Sequence, residues 1–227
     1  IVTGAPLVGD VSPPAVSSIF AAPQGGSAAA IPTVGELNYT FAGSRTQLFL
    51  GNRLEDILRL DVVFGLGVRQ ELPDSSVLAA SFLFTPALLK FWSDPYVEGE
   101  DRLRTELNFP GFRVRWGRIL GTGLELTVTD RFYRFDDEKS GDWLVGQGRL
   151  DEGQRSLLER DGDILRLQAL YRINAGGHRF EPALRFVRDN HNGGAIANTG
   201  FSLQMTYLYV SPKIVLDANL VYGQREA

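Results

Sequence analysis

The sequence predicts an all-β fold, an antiparallel transmembrane β-barrel, and three observations predict it. Apolar residues recur at every second position in about ten segments from Gly35 onward. Several of those segments reach or exceed the roughly 9–11 residues of a membrane-spanning strand, where globular strands average about 5–6. The stretches between them alternate short and long along the whole chain. Tight turns on one side of an outer membrane and long loops on the other produce that alternation, whereas a soluble sandwich has no reason for it.

Residues 1–34 are rich in Ala, Pro, Gly and Ser, with almost no charge and no steady period. They read as an irregular N-terminal segment, a plug, a linker or a first strand. The barrel is expected over 35–227. Its first two strands, 36–41 and 46–51, flank a short turn at 42–45. The third, 57–71, carries the clearest ladder: Leu58, Leu60, Val62, Phe64, Leu66 and Val68 alternate with Arg59, Asp61, Val63, Gly65, Gly67 and Arg69. A fourth segment, 77–90, follows the turn at 73–76, and the loop 91–109 follows it. In 110–120, Phe112, Val114 and Trp116 alternate with Arg113, Arg115 and Gly117; in 123–135, Leu124, Leu126 and Val128 alternate with Glu125, Thr127 and Thr129. After the longest loop, 136–162, in which only 152–160 has a helical look, come 163–174, 178–188, 199–210 and 213–225. Aromatic residues gather near the segment ends, as interfacial girdles do. Among them are Phe41, Tyr171, Phe180, Tyr207 and Tyr209 toward the short turns, and Phe109, Phe112, Tyr133, Phe135, Phe186, Phe201 and Tyr222 toward the long loops.

The first visible segment runs toward the short turns and the tenth runs back, which leaves both visible ends on the long-loop side. Bacterial barrels have an even strand number and are expected to keep both ends in the periplasm. A further strand is therefore expected before Gly35 and another after Arg225, about twelve in all.

Composition narrows the function. The formal net charge is −4 and there is no cysteine. A basic stripe for nucleic acid is missing, as are disulfides, a thiolate metal site and a Cys nucleophile. No run is long and apolar enough for a membrane helix.

If the apolar faces meet lipid, the alternate positions line a lumen. They are Arg59, Asp61, Arg69, Arg113, Arg115, Glu125, Arg166, Gln168, Arg172, Glu181, Arg185, Gln204, Asp217 and Asn219. Arginines outnumber carboxylates there. Two readings stay open. Fixed guanidinium groups raise the local concentration of anions and offer them bidentate donors, which suits a channel for small, anionic solutes. Alternatively the arginines pair with Asp and Glu on neighbouring strands and hold a closed lumen together.

No enzyme is expected. His178 and His191, the two histidines, fall on opposite sides of the barrel, so they cannot share a metal or a triad. The acidic stretches Asp136-Asp137-Glu138 with Asp142, and Asp189, offer oxygen ligands for calcium or magnesium without EF-hand spacing, and read as solvated loops. No cofactor is expected.

Three landmarks, Gly35-Glu36-Leu37-Asn38-Tyr39-Thr40-Phe41, Gln47-Leu48-Phe49-Leu50-Gly51 and Trp92-Ser93-Asp94-Pro95-Tyr96, occur in an order that resembles a family of uncharacterised outer-membrane proteins of Gram-negative bacteria, a domain of unknown function. The resemblance spans roughly 35–225 and implies a barrel in the outer membrane of a Gram-negative bacterium. It implies no substrate or catalytic residue.

The expected function is passive permeation of small, anionic solutes through an Arg-rich lumen. The alternative is a non-conducting structural or partner-binding barrel. The expected partners are outer-membrane lipid and lipopolysaccharide, and other surface proteins through loops 91–109 and 136–162.

Overall fold

Period-2 alternation becomes strand pairing over almost all of the chain that the computed structural model describes, namely residues 7–8, 13–21, 29–30, 35–52, 63–85 and 89–226. The N-terminal 57–62 portion of the third expected strand, with Arg59 and Asp61, lies outside the described residues, as does most of 1–34. Within 1–34, β1 (Leu7–Val8) and β2 (Ala29–Ala30) form a small antiparallel ladder.

The remaining strands make one 13-stranded antiparallel sheet. They are β3 (Glu36–Phe41), β4 (Thr46–Gly51), β5 (Phe64–Glu71), β6 (Val77–Phe84), β7 (Leu89–Trp92), β8 (Arg104–Asn108), β9 (Gly111–Gly117), β10 (Leu124–Phe135), β11 (Gly162–Tyr171), β12 (Ile173–Ala175), β13 (His178–His191), β14 (Asn198–Val210) and β15 (Val215–Glu226). Ten of them lie side by side in sequence order, β3-β4-β5-β6-β9-β10-β11-β13-β14-β15. These ten are the ten alternating segments, so an all-β fold of sequential antiparallel neighbours is what forms. β13 and β14 run 14 and 13 residues, well beyond a typical globular strand.

Three boundaries differ from the sequence reading. The segment 110–120 stops at Gly117 because Arg118 and Leu120 adopt left-handed φ values of 53° and 51°, which closes a tight turn. Strand 163–174 is interrupted at Arg172, whose N–H crosses to the Gly123 carbonyl at 2.8 Å, while β12 continues along β13. The stretch 91–109 is not a plain loop. β7 and β8 pair as a hairpin, and β8 extends onto β10 through Leu107–Phe135 and Asn108–Arg134. These short, charge-interrupted strands carry no period that a sequence scan could register.

The long connections interlock at one end of the sheet. The buried carboxylate of Asp94 accepts N–H bonds from Tyr96 (2.9 Å), Gly141 (3.1 Å) and Trp143 (2.9 Å), and so ties the β7–β8 hairpin to helix α1 (Asp142–Gly146). Arg160 donates to the Ser93 carbonyl at 2.7 Å and pairs with Glu138 at 2.7 Å. A second helix, α2 (Glu152–Ser156), is closed by a capping box between Asp151 and Gln154. Gly193 and Ala195 of the next connection bond to Glu159 and Leu157. Asp94→Ala orphans three backbone donors at once. It is expected to expose 141–156 to trypsin at Arg149 and Arg155, read by limited proteolysis of the folded protein; unchanged cleavage would count against Asp94 as the tie.

Residues 13–19 lie along the same end. Gly99 and Arg102 donate their N–H groups to the Val16 and Pro14 carbonyls, both at 2.8 Å. Glu98 accepts from the Ile19 N–H at 2.7 Å and from Arg149 at 2.7 Å. The Ile19 N–H first, and Arg149 after it, hold the Glu98 carboxyl below the ordinary Glu range. That contact is therefore at full strength above the usual Glu pKa and is lost only as pH falls through the lowered value.

Candidate functional site

The two faces of the sheet are inverted relative to a water-soluble protein. On one face stand Phe112, Val114 and Trp116 of β9, Leu126 and Val128 of β10, Leu167 and Tyr171 of β11, Leu184 of β13, and Leu203 and Tyr222 of β14 and β15, all exposed. On the other face Glu125, Thr127, Thr129, Arg131 and Gln204 are buried, Arg131 with no exposed surface at all. Water-soluble proteins rarely leave so continuous an apolar face bare.

Strand register then sets the polar face in rows. One row runs Thr40, Gln47, Arg69, Ala79, Arg115, Thr127, Gln168, Arg185, Ser202 and Gly223, each residue opposite the next. The adjacent row runs Asn38, Phe49, Gly67, Ser81, Arg113, Thr129, Arg166, Val187 and Gly200. Five of the expected lumen arginines, Arg69, Arg113, Arg115, Arg166 and Arg185, thus fall in two neighbouring rows and form a belt.

Neighbouring side chains hold Arg69, Arg113, Arg115 and Arg185 in place. Arg69 forms a two-pronged pair with Glu36, donates to Gln47 at 2.7 Å and sits 4.0 Å over the Phe49 ring. Arg113 donates to Thr129 at 3.0 Å, and Arg115 pairs with Glu125 at 3.5 Å. Arg185 bonds Gln168 at 3.4 Å and also Gln204. Arg172 pairs with Glu181 at 2.6 Å nearer the short turns. Carboxylates anchor Arg69, Arg115 and Arg172, and Arg113 and Arg185 bond the neutral side chains of Thr129, Gln168 and Gln204. Asp217 and Asn219 share the polar face but lie on the exposed edge strand β15, where Asn219 accepts from Thr206 at 3.2 Å.

Three participants escaped the sequence reading. Glu36 alternates with Asn38 and Thr40 on β3, so the period could have found it. Phe49 sits among polar neighbours and breaks the pattern. Arg131 is the next alternate position after Glu125, Thr127 and Thr129. It donates to the Phe109 carbonyl at 2.6 Å and to Thr85 at 3.1 Å, and lies 3.5 Å over the Phe109 ring.

Above Arg131, Leu107, Phe109 and Ile164 are buried together, with Phe91, Tyr133, Phe135 and Val187 packed against them. Phe109, Tyr133 and Phe135 are thus part of an internal cluster and not of an outer aromatic ring. Phe112 and Phe201 do stand on the apolar face, against Phe82 and Phe186 at centroid distances of 5.5 and 5.0 Å.

The histidines occupy opposite ends of β13. His178 meets the Tyr207 hydroxyl at 2.8 Å, and His191 spans the Arg160 carbonyl (2.6 Å) and Asp189 (3.2 Å). Among the described residues no three His, Asp or Glu side chains converge as a metal site. In the 136–142 loop, the Lys139 ammonium holds the Asp137 carboxyl below its ordinary range.

Residues 12–226 match the family described as Protein of unknown function (DUF2860). The chain belongs to that family. The DUF2860 match takes in the whole sheet from β3 to β15, the interlocked connections and the 13–19 contact, so the belt is part of the family's own domain. No curated protein and no solved structure matches the chain.

Proposed function

We propose that this DUF2860 chain is a transmembrane β-barrel of a Gram-negative outer membrane that passes small, anionic solutes along its arginine belt. The observation that carries the reading is the inversion of the two faces: a buried, arginine-bearing polar face backed by an exposed apolar one suits lipid outside and water inside. The path strands are ten and each runs antiparallel to the next, so β3 and β15 are themselves antiparallel, as closure requires whether direct or through an added pair of strands. Outer-membrane lipid and lipopolysaccharide are the proposed surroundings, with no cofactor and no catalysis. Five arginines gathered in two neighbouring rows, Arg69, Arg113, Arg115, Arg166 and Arg185, concentrate positive charge on one band of that face, which favours anions over cations.

Planar-bilayer recording tests this. Discrete conductance steps are expected, with a reversal potential in a KCl gradient displaced toward chloride, and Arg185→Gln is expected to shrink that displacement. A cation preference overturns the selectivity.

A second reading rests on its own observation. The cluster above Arg131 and the tied connections 91–109 and 136–162 form a built surface at one end of the sheet. A folded protein that shows no conductance would favour a non-conducting barrel that presents those connections to another surface component.

A further inference from the structure

We propose that His191 is a proton-operated latch: as imidazolium it ties the end of β13 to the connection 157–161, and as neutral imidazole it releases that connection. The latch goes beyond the permeation reading and stands whether or not the polar face conducts. The connections it holds lie at the end of the polar face in the first reading and form the docking surface in the second.

Register places the ring. Tyr133, Gly162 and His191 stand opposite one another on β10, β11 and β13. The outer two of those strands are two spacings, about 10 Å, apart. Their rings nevertheless stack at a centroid distance of 4.9 Å, because the residue between them has no side chain. A Cβ at Gly162 would press on the Asn190 carbonyl oxygen and lie 2.7 Å from the His191 Cα. Tyr133 stacks in turn on Phe109 at 4.3 Å, so His191 completes a stack of three rings beneath the long connections.

Both ring nitrogens meet acceptors. Nδ1 lies 2.6 Å from the Arg160 carbonyl oxygen, and Nε2 lies 3.2 Å from Asp189 Oδ1. That carboxylate side chain is only 12% exposed, and its Oδ1 is buried with no hydrogen bond from any other group. Two acceptors need two protons, and only the imidazolium carries both. Hydrogen bonds to ionised acceptors are the stronger, so the single proton of the neutral ring serves Asp189. The bare Nδ1 then opposes the Arg160 carbonyl lone pair to lone pair, and the connection is released.

The other charged groups about the ring come from the neighbouring elements. Arg160 turns its guanidinium to Glu138 and the Ser93 carbonyl. Glu159 accepts from the Asn192 side chain at 2.7 Å, and Asp161 from the Phe135 N–H at 2.9 Å. Arg131 on β10 lies across Ile164 from Asp189. Tyr133 is the titratable ring beneath, and the connection 192–196 carries no charge. Past Phe186 the alternate outward positions of β13 are Arg188 and Asn190, both exposed, so His191 lies beyond the apolar band. Burial opposes the imidazolium, but the contacts with Asp189 and the Arg160 carbonyl outweigh it, and the His191 pKa is raised from its ordinary value. The tie is therefore complete below the ordinary His pKa and is lost as pH rises through the raised one.

The experiment uses the detergent-refolded full chain, with folding of each variant checked by circular dichroism. NMR of the imidazole Cε1–H, assigned with His178→Gln, follows the titration of His191, and a midpoint above the ordinary histidine value is expected. Hydrogen exchange read by mass spectrometry, corrected for the chemical exchange rate, gives protection factors for 157–162 and 189–196. Protection is expected to fall about tenfold or more between about pH 5 and about pH 8, the loss of one charge-assisted hydrogen bond. His191→Gln has no such proton to lose and is expected to show no step. Asp189→Asn offers Nε2 a donor in place of an acceptor, so the neutral ring keeps Nδ1–H for the Arg160 carbonyl. Its protection at about pH 8 is expected to match that at about pH 5. A midpoint at or below the ordinary value, no step in the unaltered chain, or a step that survives in either variant overturns the latch.

Discussion

If the proposed barrel holds, Leu167→Arg is expected to destabilise the protein in lipid by about 2–4 kcal/mol, the cost of a basic side chain on the lipid face of a barrel near the bilayer midplane. Leu167 sits near the middle of β11, opposite Val128 on one side and Phe186 on the other. It is 39% exposed on the apolar face. Its neighbour Gln168 points the opposite way, into the belt beside Arg185. Asn219→Arg puts the same side chain on the polar face, at an exposed position of β15, and is expected to cost little. Reversible urea unfolding in lipid vesicles measures both. Equal stability of the two variants would mean that the apolar face does not meet lipid.

Arg131→Met is expected to cost about 3–5 kcal/mol and to loosen the end of the sheet that carries the long connections. The side chain is fully buried. Its removal strands the Phe109 carbonyl, which receives a charge-assisted hydrogen bond at 2.6 Å; such bonds contribute about 1.5–3 kcal/mol each. The contact with the Phe109 ring at 3.5 Å is lost too, and a desolvated cation–π contact adds about 2 kcal/mol. Methionine keeps most of the volume, so the void term stays small. Phe109 anchors Leu107, Ile164 and Tyr133, so hydrogen exchange in 104–110 and 131–135 should quicken along with the loss of global stability. A change below about 1 kcal/mol would mean that Arg131 is replaceable by apolar packing, as some buried ionic groups are.

Much of the fold was legible because a strand with one face in each of two media must alternate. Leu165, Leu167, Ala169 and Tyr171 against Arg166, Gln168 and Leu170 are visible as two faces in a bare string of letters. The ten path strands and their antiparallel order follow from that pattern and, at most junctions, from connections too short for parallel crossovers. β7 and β8 were not legible. Lys90, Glu106 and the brevity of both strands hide them, and their pairing depends on β10 extending beyond the sheet to receive them. Phe109 and Tyr133 were misplaced for a related reason: an aromatic residue near a strand end reads the same whether it faces lipid or packs beneath a loop.

What the sequence determined by itself is therefore the ten path strands, their order and their two faces, because local alternation depends only on which medium each side chain meets. The tertiary structure decided which residues of the polar face meet. A period of two says nothing of how far one strand slides along the next in steps of two, and that offset is set by turns such as the left-handed pair at Arg118 and Leu120 and the interruption at Arg172. The β9–β10 offset sets Arg115 opposite Thr127 and Arg113 opposite Thr129, and with the offsets of the other pairs it turns scattered arginines into a belt.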